Sequence, residues 1–331
     1  MGAAAPIAIA LGDPAGIGPE VVAKAWALRA ERDLPPFFAV GDVRSVERVW
    51  AGPVVRIDDP SQAAAAFGTA LPILSVNDAG DITPGVPDID GARCAIQSLE
   101  LALGLTRSGA SGALVTGPVS KVELYRTGFT YPGQTEFVAE RCGIAKENAV
   151  MMLAGPTLRV VPMTTHIPFA EVIDALSIEL IVAKARVTAR SLTRHFGIMR
   201  PRLAFAGLNP HAGESGAMGR EEIDIVQPAI AQLVSEGIDA VGPFAADGMF
   251  NPRARAGYDV AMCLYHDQAL IPLKALHFDD GVNMTLGLPV IRTSPDHGTA
   301  FDIAGRDAAE PGAMIAAIML AAEAAARRCD A

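Results

Sequence analysis

Residues 7–30 read IAIALGDPAGIGPEVVAKAWALRA. An apolar run of strand length, 7–11, meets a turn rich in glycine and proline. Pro19-Glu20 then opens a stretch whose apolar residues fall at helical spacing. The same succession recurs down the chain. FFAVGD (37–42) reads as a strand and SVERVW (45–50) starts a helix; GALVTGPVSK (112–121) reads as strand into loop, after the helix AIQSLELALGL. LRVVPMTT (158–165), PRLAFAGL (201–208) and YDVAMCLYH (258–266) read as strands, and helices are expected at about 171–196, 220–236 and 312–328. Strands alternating with helices predict an α/β fold with a mainly parallel sheet. Such sheets bind ligands beyond the carboxyl ends of their strands.

The bulk numbers agree with a folded globular chain. It has 331 residues, 50% hydrophobic and 19% charged, enough for a sizeable core in one large or two medium domains. No linker or internal repeat stands out, so two domains would be interwoven. A net charge of −10 argues against nucleic acid or an anionic membrane as partner, while leaving room for a local basic pocket. The four cysteines (94, 142, 263 and 329) form no C-x-x-C clip and no disulfide framework. No basic leader and no apolar run of about 18 residues is present. These features predict a cytoplasmic protein with reduced thiols. The glycines of GDPAGIG, at 12, 16 and 18, match neither G-x-G-x-x-G nor the P-loop pattern. They read as a tight strand-to-helix turn.

Three of the six histidines, His166, His211 and His266, each follow a strand-like run. Three imidazoles with an open position suit a catalytic divalent ion, although hydrogen-bonded structural histidines give the same pattern. Asp247, in AADGMF, and Asp267, beside His266, read either as carboxylates supporting such an ion or as turn and cap residues. Lys274 and Arg292 stand in apolar stretches, where a cation snorkels, pairs, or binds phosphate or carboxylate. Asn283, in GVNMTLG, adds an amide.

Two segments, GDPAGIGPEVVAKA and DHGTAFDIAGRDAAEPGAMIAAIMLAAE (296–323), resemble the isocitrate and isopropylmalate dehydrogenase superfamily. A denser set covers essentially the whole chain: LGDPAGIGPE, VTGPVSK, GQTEF, TTHIPF, GLNPHAGESG, ADGMF, YHDQALIPLK and GVNMTLGLPVIRTSPDHGTAFDIAG. In order and density it resembles the 4-hydroxythreonine-4-phosphate dehydrogenase family.

The resemblance implies two interwoven α/β domains with a central cleft, of the isocitrate/isopropylmalate dehydrogenase type. One, 1–125 plus 268–331, would bind the cofactor; the other, 126–267, would carry the metal site and the dimer interface. His166, His211 and His266 would hold a divalent metal (zinc, magnesium or cobalt) in a site shared across a homodimer, with one histidine from the partner subunit. Gln134, Thr135, Lys274, Asn283 and Arg292 would contact the substrate. Asp296, His297, Gly298, Thr299 and Asp302 would hold NAD or NADP. Asp247, Asp267 and Lys274 remain as candidates for the general base. The implied reaction oxidises 4-phosphooxy-L-threonine to 2-amino-3-oxo-4-phosphooxybutanoate, which decarboxylates to 3-amino-2-oxopropyl phosphate, in pyridoxal 5'-phosphate synthesis. One departure stands out: the chain has GQTE where the family has GHTE, so Gln134 replaces a histidine that contacts substrate. Glutamine forms hydrogen bonds but carries no titratable proton. A dehydrogenase for another 4-phosphorylated hydroxy acid, such as D-threonate or D-erythronate 4-phosphate, is the alternative. A non-catalytic binding protein on the same fold would be expected to lack the histidines or the 296–302 loop.

Overall fold

In the computed structural model, residues 5–76 and 79–329 are described. The chain forms two compact units, Met1–Cys142 with Pro289–Ala331, and Gly143–Leu288. These divisions fall later than the expected 125/126 and 267/268. Residues 121–141 contribute helices that pack on the first unit, and the strand Val282–Leu286 pairs within the second.

Strands are numbered in chain order. The first unit holds β1 (Ile7–Ala10), β2 (Phe37–Gly41), β3 (Val54–Ile57), β4 (Leu71–Ser75), β5 (Leu114–Thr116) and β12 (Arg292–Pro295), in the order β3-β4-β2-β1-β5-β12. Every pairing among them is parallel. Helices Gly18–Ala27 and Ile89–Ser108 make crossovers, and Gly312–Cys329 follows β12. β1, β2, β5 and β12 are buried along their whole length. A parallel strand covered by helices on both faces has no solvent side, which is why β1 (IAIA) and β2 (FFAVG) read as apolar runs rather than alternations, whereas β12 (RTSP) buries polar side chains.

The second unit holds β6 (Val150–Gly155), β7 (Leu158–Pro162), β8 (Leu203–Ala206), β9 (Ala240–Phe244), β10 (Val260–Cys263) and β11 (Val282–Leu286), in the order β11-β6-β7-β10-β8-β9. β7, β10, β8 and β9 pair in parallel; β6 pairs antiparallel with both β7 and β11. The sheet of this unit is therefore mixed, and the β6–β7 hairpin is a feature the sequence reading lacks. Two other expectations change. The helix expected over 171–196 is broken: Ser177 is extended and its side chain accepts from the Leu180 amide, capping a new helix, Ile178–Phe196. The strand expected over 258–266 stops at Cys263, and His266 is instead the first residue of the helix His266–Leu276. Among the described residues, no helix is long and apolar enough to cross a membrane.

The 12–18 turn has a backbone reason for its glycines. Gly12 has φ +77°, and a Cβ there would stand 2.2 Å from the Pro118 carbonyl oxygen. A Cβ on Gly18 would stand 2.1 Å from the Leu11 carbonyl oxygen. The turn lies against the loop that follows β5, too close for any side chain. It also binds the loop after β12, where the Ile17 amide donates to the Thr299 carbonyl at 3.0 Å.

Asp13 is sealed inside this turn. One carboxylate oxygen accepts from the Ala15 amide at 3.0 Å; the other is buried with no hydrogen-bond partner. Burial pushes its pKa from 3.8 up to about 6, with further upward pressure from Asp88 and Glu123. Folded protein therefore binds this proton more tightly than unfolded chain, and Asp13 removes stability as pH rises from about 4 to about 6. The full cost, on the order of 3 kcal/mol at 1.36 kcal/mol per pK unit, applies above that window. The stability of Asp13→Asn minus that of wild type should climb with pH between about 4 and 6 and then level off. Denaturant titrations at half-unit pH steps check this; a difference that does not vary with pH contradicts the account.

Candidate functional site

In the first unit the chemistry gathers around Arg292. It opens β12 and is 4% exposed. Its Nη2 donates to Thr116 Oγ1 at 2.7 Å and to Gln134 Oε1 at 3.4 Å, and its Nη1 donates to Thr135 Oγ1 at 3.4 Å. The neighbouring strand places Thr116: β12 pairs with β5 in the register Arg292 to Leu114, and Thr116 is the last residue of β5. Gln134 and Thr135 begin the helix Gln134–Arg141. Gln134 is held from the other side as well, its Nε2 donating to the Gly117 carbonyl at 3.0 Å. Burial pulls the guanidinium pKa down to about 10, opposed by the charge of Glu136. It stays cationic at neutral pH. A planar fork of donors beside a helix N-terminus is suited to an oxyanion such as phosphate or carboxylate.

Asp296, His297, Gly298, Thr299 and Asp302 follow the carboxyl end of β12, where parallel sheets bind ligands. His297 Nδ1 lies 3.0 Å from the Gly298 carbonyl, and its Nε2 is buried with no hydrogen-bond partner. With Nδ1 donating, Nε2 is an acceptor waiting for a donor. That orphaned atom fits a loop that holds a polar cofactor. Asp302 is exposed.

In the second unit two of the three histidines meet. His166 stands beyond β7 with φ 55°, and its ring lies 5.6 Å, centroid to centroid, from that of His266. A cavity of about 280 Å³ opens here, lined by Thr164, His166, Phe169, Tyr265, His266 and Asp267 among others. His266 Nδ1 contacts Asp267 Oδ1 at 2.6 Å. A carboxylate on Nδ1 fixes the tautomer and leaves the Nε2 lone pair for a ligand. Two imidazoles at this separation can share an ion bound about 2.0–2.1 Å from each nitrogen. His211 is exposed and sits on the turn Pro210–Gly216. Among the described residues, no group of three or more His, Cys, Asp or Glu side chains is arranged to hold a metal. Asp247 is exposed in the short helix Ala246–Met249. Lys274 lies in the helix His266–Leu276, and Asn283 lies on β11 with its Oδ1 buried and unpartnered.

Four residues at these sites are absent from the sequence reading: Thr116, which binds Arg292, and three that hold the histidine turns. Lys184 Nζ donates to the carbonyls of Pro162 and Met163, at the end of β7. Glu222 accepts from the amides of Leu208 and Asn209. Gln268 joins Leu264 to Gly207. Thr116 and Gln268 sit inside VTGPVSK and YHDQALIPLK, so the quoted segments contained them. Lys184 carries no comparable mark in the sequence.

Comparisons with known proteins follow the same lines. Residues 34–321 match the family model described as pyridoxal phosphate biosynthetic protein PdxA. A 4-hydroxythreonine-4-phosphate dehydrogenase of Zymomonas mobilis is 58% identical over 323 residues, 98% of this chain and 96% of that protein. A crystal structure of the enzyme of that name from Klebsiella pneumoniae aligns with a TM-score of 0.86 at 37% identity, over 97% of this chain and 99% of the other. At the level of fold alone, isocitrate dehydrogenase from Methylococcus capsulatus aligns with a TM-score of 0.50 at 15% identity, over 98% of this chain and 86% of that one.

Proposed function

The chain belongs to the pyridoxal phosphate biosynthetic protein PdxA family, and from that premise we propose that it oxidises 4-phosphooxy-L-threonine with NAD(+) or NADP(+). The secondary alcohol loses a hydride to the cofactor and a proton to the protein. The resulting 2-amino-3-oxo-4-phosphooxybutanoate is a β-keto acid; it releases carbon dioxide and leaves 3-amino-2-oxopropyl phosphate. The observation that carries this reading is the buried Arg292 with Thr116, Gln134 and Thr135 around it. A chain of net charge −10 that keeps a guanidinium in its core is equipped for a small anion.

Each residue has a defined task. Arg292 and Thr135 bind an anionic group of the substrate, and Gln134 and Thr116 hold the guanidinium in plane. Lys274 and Asn283 contact the substrate further. His166, His211 and His266 hold a divalent ion, with a homodimer partner supplying one histidine of each set. Asp267 keeps the His266 ring turned so that Nε2 faces outward. The 296–302 loop, with Asp296, His297, Gly298, Thr299 and Asp302, holds the nicotinamide cofactor. The bound ion and cofactor supply Lewis acidity toward the substrate oxygens and an acceptor for the hydride. The proton of the hydroxyl goes to one of Asp247, Asp267 and Lys274, and their single substitutions distinguish them.

A second reading rests on Gln134. Where the family carries a histidine, this side chain is engaged with Gly117 and Arg292 and cannot donate a charged hydrogen bond. On this reading the substrate is another 4-phosphorylated hydroxy acid, D-threonate or D-erythronate 4-phosphate.

Absorbance of reduced cofactor, followed with metal-loaded protein and all three acids, separates the two. Turnover of 4-phosphooxy-L-threonine in clear preference supports the first reading; preference for either of the others replaces it. Arg292→Lys puts a point charge where a fork is needed and should lower kcat/KM at least tenfold. A smaller change would remove Arg292 from substrate binding. Mixing two inactive single-histidine variants should restore activity for pairs whose histidines serve one ion from different subunits. If no pair complements, the shared site is wrong.

A further inference from the structure

We propose that Gln268 is a positioning residue of the divalent-ion site: its side-chain amide ties the turn carrying His211 to the turn carrying His266. The inference rests on the histidine-bound ion of the proposed function. It concerns how the protein holds two of the ligands still.

Gln268 lies two residues after His266 and is 8% exposed. Its Oε1 accepts from the Leu264 amide at 2.6 Å. Its Nε2 donates to the Gly207 carbonyl at 2.7 Å. Leu264 is the residue after β10 and leads into His266; Gly207 is the residue after β8 and leads into His211. The amide thus uses one acceptor and one donor to join two strand ends 57 residues apart, counted as 264 − 207. The carbonyl of Leu264 is also used. It accepts from Thr164 Oγ1 at 2.9 Å and from the Thr164 amide at 3.3 Å, two residues before His166. The backbone of Leu264, through its amide and its carbonyl, is therefore a junction for all three histidine-bearing turns, and Gln268 is its link to the His211 turn.

That turn needs an anchor. His211, Ala212, Gly213, Glu214 and Ser215 all have positive φ, between 44° and 78°. The left-handed region is disfavoured for residues with a Cβ, and four of these five have one, so the turn does not hold this shape unaided. Buried Glu222 fixes its entry, accepting from the amides of Leu208 at 2.7 Å and Asn209 at 2.8 Å and from Asn209 Nδ2 at 3.0 Å. Glu222 shapes the turn. Gln268 places the shaped turn relative to the His266 helix. Every chain then presents His211 and His266 in one relation, whichever subunit's ion each ring reaches. Residues that orient metal ligands from behind contribute typically 10–100-fold in affinity.

The test is a cobalt(II) titration of the full-length protein, read by the visible absorption of the bound ion. Wild type, Gln268→Met, Gln268→Glu and Leu273→Ala are compared, with His211→Ala and His266→Ala as ligand controls. Met removes both hydrogen bonds. Glu keeps the acceptor for the Leu264 amide and loses the donor to Gly207. Leu273 is fully buried on the same helix and its apolar side chain makes no hydrogen bond to either turn, so Leu273→Ala supplies a loss of stability while leaving both links of Gln268 in place. The expected result is cobalt binding weakened at least tenfold in Gln268→Met, with a changed band shape. Gln268→Glu sets a buried carboxylate oxygen against the Gly207 carbonyl and should weaken binding at least as much as Met, and Leu273→Ala should bind as wild type does. Wild-type affinity and band shape in Gln268→Met overturn the proposal and leave the ion site standing. Equal weakening by Leu273→Ala also overturns it, because the effect is then general instability. If wild type binds no cobalt, or binds it without His211 and His266, the ion reading fails first and this inference falls with it.

Discussion

A parallel strand that ends must give its last carbonyl and the next amide to some partner, and the site is arranged around that obligation. Helix termini and strand ends leave backbone groups that cannot be buried unpaired without a cost comparable to a lost hydrogen bond. In the second unit the partners are side chains. Lys184 takes the carbonyls of Pro162 and Met163; Gln268 takes the Leu264 amide and the Gly207 carbonyl; Glu222 takes the amides of Leu208 and Asn209. In the first unit Gln134 takes the Gly117 carbonyl, just past the end of β5. These bonds satisfy the backbone and set the direction in which the following residue leaves the strand. Since the residues that follow are His166, His211 and His266, satisfying the backbone and aiming the imidazoles are one operation.

The same economy places charge. Lys184 is buried enough that its pKa is pulled down to about 8 by burial, yet it still donates to two carbonyls. Arg292 keeps its proton in the core because a guanidinium starts so high that even a fall to about 10 leaves it charged. Asp13, pushed up to about 6 in a turn with one oxygen unpartnered, is the opposite case: a carboxylate held where its charge is disfavoured. Its turn binds the Thr299 carbonyl through Ile17. A local instability there lies next to the loop assigned to the cofactor, and strain kept near functional loops is a common arrangement.

How much of this the sequence disclosed depends on whether a residue's role is local. The strand–turn–helix of 7–30 is local, and its periodicity was enough to give the α/β class. The histidines at strand ends were visible for the same reason, although His266 turned out to begin a helix rather than end a strand. The β6–β7 hairpin was not visible: VMMLAGPTLRVVP is apolar on both arms, and a buried strand reads alike in parallel and antiparallel pairing. Thr116, Lys184, Glu222 and Gln268 were missed because their partners are far along the chain: Thr116 accepts from the Arg292 side chain 176 positions away, and the other three serve backbone groups 13 to 61 positions away, apart from the short contact of Gln268 with Leu264. A buried glutamine and a surface glutamine look the same until the turn that it serves is in place. The likeness of whole motifs to a known family nominated His166, His211 and His266 as ligands. It did not identify what holds them.

Gln134 shows why the family histidine can be lost without dissolving the site. An imidazole at the start of the helix Gln134–Arg141, beside a guanidinium, would be pressed toward its neutral form by that neighbouring charge. In that form it offers one donor and one acceptor. Glutamine offers the same pair, and here both are used: Nε2 to Gly117, Oε1 toward Arg292. The positive charge that meets an anion resides on Arg292 and in the amides at the helix N-terminus, neither of which the replacement touches. Under the proposed role of Arg292, the substitution leaves the cation for a phosphorylated acid in place. What it removes is a group able to gain a proton when the substrate's own charge calls for it. Discrimination between the ammonium of 4-phosphooxy-L-threonine and the hydroxyl of a threonate must then come from other contacts, because a neutral amide accepts a hydrogen bond from either.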